Sequence, residues 1–136
     1  MNALSTLLVV DAANVVGSVP DGWWRDRRGA AERLRDRLVA YAAQGLPGRA
    51  GPLDVVLVVE GAARGVASVP GVRVVAAPGS GDDRIVELAR EARGRPCLVV
   101  TADRELRRRV GEWGAECLGP RTVHGPGQAP GAPGRT

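Results

Sequence analysis

Lysine and phenylalanine are absent from this 136-residue chain, and histidine occurs once, at position 124. Without lysine, every basic side chain is an arginine, whose planar fork suits phosphate well. A phosphoaspartyl phosphatase is disfavoured. Asp11 has no second Asp two residues on, and no lysine exists to support such a nucleophile. His124 directly precedes a Gly- and Pro-rich tail and is a poor general base, so hydrolysis here calls for a metal-activated water. The two cysteines, Cys97 and Cys117, are too few and too far apart for a zinc site. Both adjoin apolar runs and are expected as buried free thiols. No stretch approaches the ~20 consecutive apolar residues of a membrane span. No basic segment precedes the first apolar run, so no signal peptide is expected. The expected location is cytoplasmic, with no membrane partner.

What is present is a chain that is 44% hydrophobic, mainly Val, Leu and Ala, with a net charge of +4. That suffices for one core, and the length fits one domain. The positive balance permits an anionic partner without requiring one. Residues 4–10 read as a buried strand, and 11–24 as a Gly- and Pro-containing loop. Residues 26–43 read as a helix, with Ala31, Leu34, Leu38, Tyr41 and Ala42 at helical spacing. Residues 45–52 form a breaker segment. Strands follow at 53–59 and 72–77, and the connection between them is long enough only for a short helix. Residues 82–93 read as a helix with Ile85, Leu88, Ala89 and Ala92 on one face. Residues 96–101 read as a strand, 103–112 as a helix buried through Leu106 and Val110, and 116–119 as an edge strand. Residues 1–123 thus form one α/β domain with strands and helices in alternation. Residues 124–136 have the composition of a disordered tail.

The informative pattern is acidic. Asp11, Glu60, the pair Asp82 and Asp83, and Asp103 each fall just past an apolar run that reads as a strand: 7–10, 55–59, 72–77 and 98–100. A parallel sheet gathers the carboxyl ends of its strands on one edge, where ligands bind. Carboxylates gathered there repel one another, and a divalent cation relieves the repulsion. The pattern points to Mg²⁺ or Mn²⁺. Each acid also has a plainer reading. Asp11 and Asp103 suit turns and helix caps. Ser80 with Asp83 fits a capping box. Helical spacing does not decide which of Asp82 and Asp83 faces the site; Asp83 is assigned inward and Asp82 to outer support. Asn14 either fixes the following loop or orients Asp11 or a water.

Trp23 and Trp24 stand between Pro20-Asp21-Gly22 and a run of arginines. They read as a staple holding the next helix to the core, or as a platform for a nucleobase with arginines on phosphate. The expectation is one of each: one tryptophan buried against the helix that begins near Asp26, the other at the acidic cleft. Arg25 and Arg104 are expected to hold an anionic backbone.

Asp11-x-x-Asn14 after the first strand, Gly81-Asp82-Asp83 opening a middle helix and Thr101-Ala-Asp103-Arg104 after the fourth strand resemble the NYN branch of the PIN-like nucleases. The YacP-like members are the nearest match, over residues 4 to about 120. The resemblance implies a Rossmann-like three-layer fold, with a mainly parallel sheet in the order 3-2-1-4-5. It also implies Mg²⁺ or Mn²⁺ held by Asp11, Asp83 and Asp103, a site oriented by Asn14, support from Thr101 and a further acid at Glu60. Unlike larger members of that family, the chain is expected to lack an appended RNA-binding domain. The function expected is a metal-dependent phosphodiester hydrolase, foremost an RNase. The alternatives are a nucleoside triphosphate pyrophosphohydrolase and a non-catalytic RNA-binding or regulatory module on the same fold. The partner is RNA or a nucleotide, and the oligomeric state is open, a homodimer included.

Overall fold

A computed structural model of the protein describes residues 5–20 and 22–123. Asp21, His124 and the 124–136 tail lie outside the described residues, and so do the expectations placed on them. The elements in chain order are β1 (Leu7–Asp11), α1 (Ala12–Gly17), α2 (Arg27–Gln44), β2 (Gly45–Leu46), β3 (Arg49–Ala50), β4 (Asp54–Val59), β5 (Val72–Ala76), α3 (Gly81–Glu91), β6 (Cys97–Val100), α4 (Arg104–Gly111) and β7 (Glu116–Leu118). Three 3₁₀ turns, Trp23–Arg25, Gly61–Ala63 and Pro120–Val123, complete the course.

The main sheet runs β5-β4-β1-β6-β7, and every neighbouring pair is parallel. Counting only these five strands, the order is 3-2-1-4-5, as expected. The chain builds outward from β1 through β4 and β5, then returns to the other side of β1 with β6. The reversal of direction falls between β1 and β6, the place where such sheets open a crevice for ligands.

Alternation along the strands makes the three layers. Leu8, Val10, Val55, Leu57 and Val59 face α1 and α2, where they meet Val15, Leu34 and Leu38. Leu7, Val9, Val56, Val58 and Val99 face α3 and α4, where they meet Ile85, Leu88, Leu106 and Val110. Burial on both faces accounts for the unbroken Val and Leu runs. β7 is the edge, three residues long and only half covered, as expected.

Two segments differ from the sequence reading. The 11–24 stretch is not all loop: Ala12–Gly17 is helical and buries Ala12 and Val15. Asp11 ends β1 and also caps this helix, accepting from the Asn14 backbone N–H at 3.4 Å. One residue serving as strand end and helix cap leaves no loop residues between the two elements for a reading to detect. The 45–52 breaker contains a two-stranded antiparallel ribbon, Gly45↔Ala50 and Leu46↔Arg49. It closes tightly because Gly45 has φ +87, and a Cβ there would sit 2.3 Å from the Gly51 backbone nitrogen.

Candidate functional site

β1, β4 and β6 end side by side, and each hands the chain to a helix or turn whose first residues carry the acids. Asp11 is the last residue of β1 and is 5% exposed. Glu60 follows β4 directly, Asp82 lies in the first turn of α3, and Asp103 is the N-cap of α4. The carboxyl edge of the sheet therefore gathers acids from four separate stretches of chain.

Thr101 ties two of them together. Its fully buried hydroxyl donates to Asp11 Oδ2 at 2.9 Å and accepts from the Asp103 backbone N–H at 3.2 Å. Asp103 Oδ1 in turn accepts from the Leu106 N–H at 3.1 Å, which starts α4. Asn14 adds a second brace. Its side-chain oxygen accepts from the Ala102 N–H at 2.8 Å, so it pins the loop after β6, not the loop that follows its own strand. Arg107 closes the same loop from behind by donating to the Thr101 carbonyl at 2.8 Å. Nothing in the sequence marked Arg107, because its partner is a backbone carbonyl.

On the other flank, Glu60 Oε1 accepts from the Gly81 N–H at 2.5 Å and so fixes the start of α3 against the end of β4. Ser80 caps α3 by accepting from the Asp82 N–H at 3.1 Å. Asp83 takes no part in that cap. It is exposed and pairs with Arg109 at 2.9 Å, bridging α3 to α4. Asp82, not Asp83, is the acid turned inward, which reverses the assignment made from sequence. The reason is helical geometry. Asp82 stands three and seven residues before Ile85 and Ala89, both in the buried stripe, whereas Asp83 stands three and four before Val86 and Glu87.

The electrostatics show the crowding. The carboxyl of Asp11 is raised from its ordinary 3.8 to about 6, chiefly by burial. The Thr101 hydroxyl and the Asn14 N–H oppose the rise, and the charges of Asp82 and Glu60 add to it. Asp82 is also raised, first by burial, then by Asp103 and Glu60, with Arg109 acting against them. Asp11 thus feels Asp82 and Glu60, and Asp82 feels Asp103 and Glu60, across a shared space.

Among the described residues, no three Asp, Glu, His or Cys side chains stand close enough to cage a metal ion. The donor set still suits a hard cation. Glu60 and Asp103 each commit one oxygen to a backbone N–H, leaving the other for a ligand. Mg²⁺ keeps several waters and is commonly held through one or two carboxylates, so a closed cage is not needed.

The remaining expectations divide. Arg25 and Arg104 are exposed and form no ion pair among the described residues. Arg25 lies over the Trp24 ring at 5.8 Å. Neither tryptophan is buried, contrary to the staple-and-platform division. Trp24 is 53% exposed, and Trp23 is half-buried, edge-on to Trp24 with centroids 6.0 Å apart. The α2 start is fastened instead by Asp26, which accepts from the Gly29 N–H at 2.9 Å. That cap removes the need for an indole staple. Cys97 is a buried free thiol as expected, while Cys117 is free but only half-buried, because it lies on the edge strand.

With the geometry in place, comparison with known proteins adds the fold. No family model matches the chain, and no curated protein does. A solved structure does: Rae1 (YacP) from Bacillus subtilis superposes with a TM-score of 0.65 at 20% identity, over 87% of this chain and 72% of that one. The chain has a YacP-like α/β fold. Among the described residues, no helix is long and apolar enough to cross a membrane.

Proposed function

We propose that this protein is a divalent-metal-dependent phosphodiester hydrolase that acts on RNA in the cytoplasm. The observation that carries the reading is the convergence of Asp11, Glu60, Asp82 and Asp103 at the switch-point edge, with Asp11 buried and paired with no arginine among the described residues. Burying an acid among other acids is costly, and a bound cation removes the cost. The YacP-like fold and the three motifs that carry the nuclease resemblance support the same reading.

Asp11, Asp82 and Asp103 would hold Mg²⁺ or Mn²⁺, directly or through water, and the free oxygen of Glu60 would complete the set. Thr101 keeps Asp11 and Asp103 in register through its bridging hydroxyl. Asn14 and Arg107 hold the loop that carries Asp103. Asp83 is a positioning residue that links α3 to α4 through Arg109. A bound cation supplies a water of lowered pKa and neutralises charge on the phosphate. A carboxylate of this edge would take a proton from such a water. Arg25 and Arg104, exposed and in no ion pair among the described residues, would receive the strand.

The test is cleavage of end-labelled single-stranded RNA with Mn²⁺, Mg²⁺ or EDTA, alongside pyrophosphate release from nucleoside triphosphates. RNA cutting with metal is expected, and Asp11→Asn and Asp82→Asn are each expected to lower it by roughly a hundredfold or more. Asp83→Asn should leave most of the activity. No metal-dependent cutting, or full cutting by Asp11→Asn, overturns the proposal. Pyrophosphate release without RNA cutting moves the substrate to free nucleotides.

A further inference from the structure

A pocket of about 450 Å³, its open mouth included, lies against the acidic edge on the α1–α2 side of the sheet. Its walls are Ala13 and Val16 of α1, Trp23, Arg27 at the start of α2, and Glu60 and Ala63 after β4. Ala12, the residue next to Asp11, also lines it. We propose that this pocket receives one unstacked nucleobase, placing the phosphate of the same nucleotide at the carboxylate edge. The inference rests on the hydrolase reading for the identity of that edge, and adds the part of the substrate that is bound there.

The occupant follows from the chemistry of the walls. An indole and a guanidinium together offer flat surfaces on which a heteroaromatic ring stacks, and Arg27 already lies over the Trp23 ring at 5.2 Å. Arg27 has no carboxylate partner among the described residues, so its charge is available to a phosphate. Glu60 stands at the boundary between the pocket and the acids, with one oxygen committed to Gly81 and the other left for the cation, so it joins the two regions. Small residues on the remaining sides leave room for a ring. A base in a duplex cannot enter such a slot without leaving its stack. Single-stranded RNA or a free nucleotide meets the requirement, and both present the same base and phosphate.

Trp23 itself serves as the reporter. In a Trp24→Phe, Trp113→Phe background it is the only indole, and its fluorescence is titrated, with Ca²⁺ in place of Mn²⁺, with AMP, UMP, ATP and a short single-stranded oligonucleotide. Saturable quenching is expected. Ala13→Leu, an exposed helical position, should fill the pocket from the opposite wall with the melting temperature unchanged. Affinity should then fall by roughly five- to 150-fold, the worth of stacking one base. ATP binding as tightly as the oligonucleotide identifies a free nucleotide as the source; tighter binding of the oligonucleotide identifies an RNA strand. Absence of saturable quenching, or equal affinity in Ala13→Leu, overturns the pocket. Parallel Mn²⁺ cleavage assays on the otherwise wild-type chain keep the two ideas apart. Cutting without base binding removes the pocket alone, whereas base binding without cutting upholds the pocket and removes the hydrolase.

Discussion

Asp11 combines three duties that oppose one another. It ends a strand, caps a helix and presents a charge where almost no water reaches it. Its pKa in the fold, about 6 against an ordinary 3.8, measures the conflict. A folded-state pKa above the unfolded one means that the folded protein binds more protons between those values, so stability declines as pH rises from about 4 to about 6. Above that window the charged carboxylate costs about 3 kcal/mol, two pKa units' worth. Asp11→Asn removes the charge and keeps the shape. In EDTA, the variant should melt higher than the wild type at pH 7.5, and the gap should close toward pH 3, where Asp11 is protonated in both states. Adding Mn²⁺ at pH 7.5 should raise the wild type and leave the variant unmoved. Thermal melts over this range decide the matter. A gap that does not change with pH would show that Asp11 is not the group under strain.

At the scale of elements, the site is a set of junctions in which strand ends are welded to helix starts. The weld between β4 and α3 is the Glu60–Gly81 bond, and Gly81 makes it tight, since a Cβ there would lie 2.6 Å from Glu60 Oε1. The obstructing atom is the tip of a flexible side chain. Gly81→Ala should therefore swing Glu60 aside at little cost to folding, partly offset because Ala suits a helix better than Gly. Stability is expected to change by no more than about 1 kcal/mol, while Mn²⁺ affinity, read by calorimetry, should drop. Unchanged affinity would remove Glu60 from the metal set. The junctions also explain what the sequence disclosed. Four acids after four apolar runs located the edge, and Val and Leu runs buried on both faces disclosed the parallel sheet. The strand order came from the motif resemblance, because apolar runs alone carry no record of which neighbours pair. Helix α1 stayed hidden because Asp11 left no gap between strand and helix. The inward acid of α3 was within reach of the buried stripe Ile85, Leu88 and Ala89, had each acid been counted against it. Asn14 was marked but its partner was not, and Arg107 was not marked at all, for both bond backbone groups of the loop after β6, 88 and six residues away.

Across the whole molecule, the arginines are not used evenly. At the amino edge of the sheet two are paired, Arg95 with Asp54 at 3.4 Å and Arg49 with Glu116 at 3.1 Å. Around the carboxyl edge, Arg25, Arg64, Arg104 and Arg121 form no ion pair among the described residues, and all four are exposed. Exposed arginines outside the described ion pairs also occur elsewhere, Arg33 on α2 and Arg90 near the end of α3 among them, but these four stand beside the acids, where cations draw a polyanion toward a centre that would otherwise repel it. Counterion release turns this into a slope. Each phosphate neutralised on a single strand contributes about −0.7 to the change of log affinity with log salt. With Asp11→Asn to prevent cutting, RNA affinity measured from about 50 to about 200 mM salt should fall with a slope near −3 if all four arginines make contact. Replacing any one by Gln should make the slope shallower by about 0.7. Arg73, exposed on β5 near the opposite edge and in no ion pair among the described residues, is the control, and Arg73→Gln should leave the slope where it was. If Arg73→Gln flattens the slope as much as Arg104→Gln does, attraction comes from total charge alone, and no track of arginines leads RNA across the acidic edge.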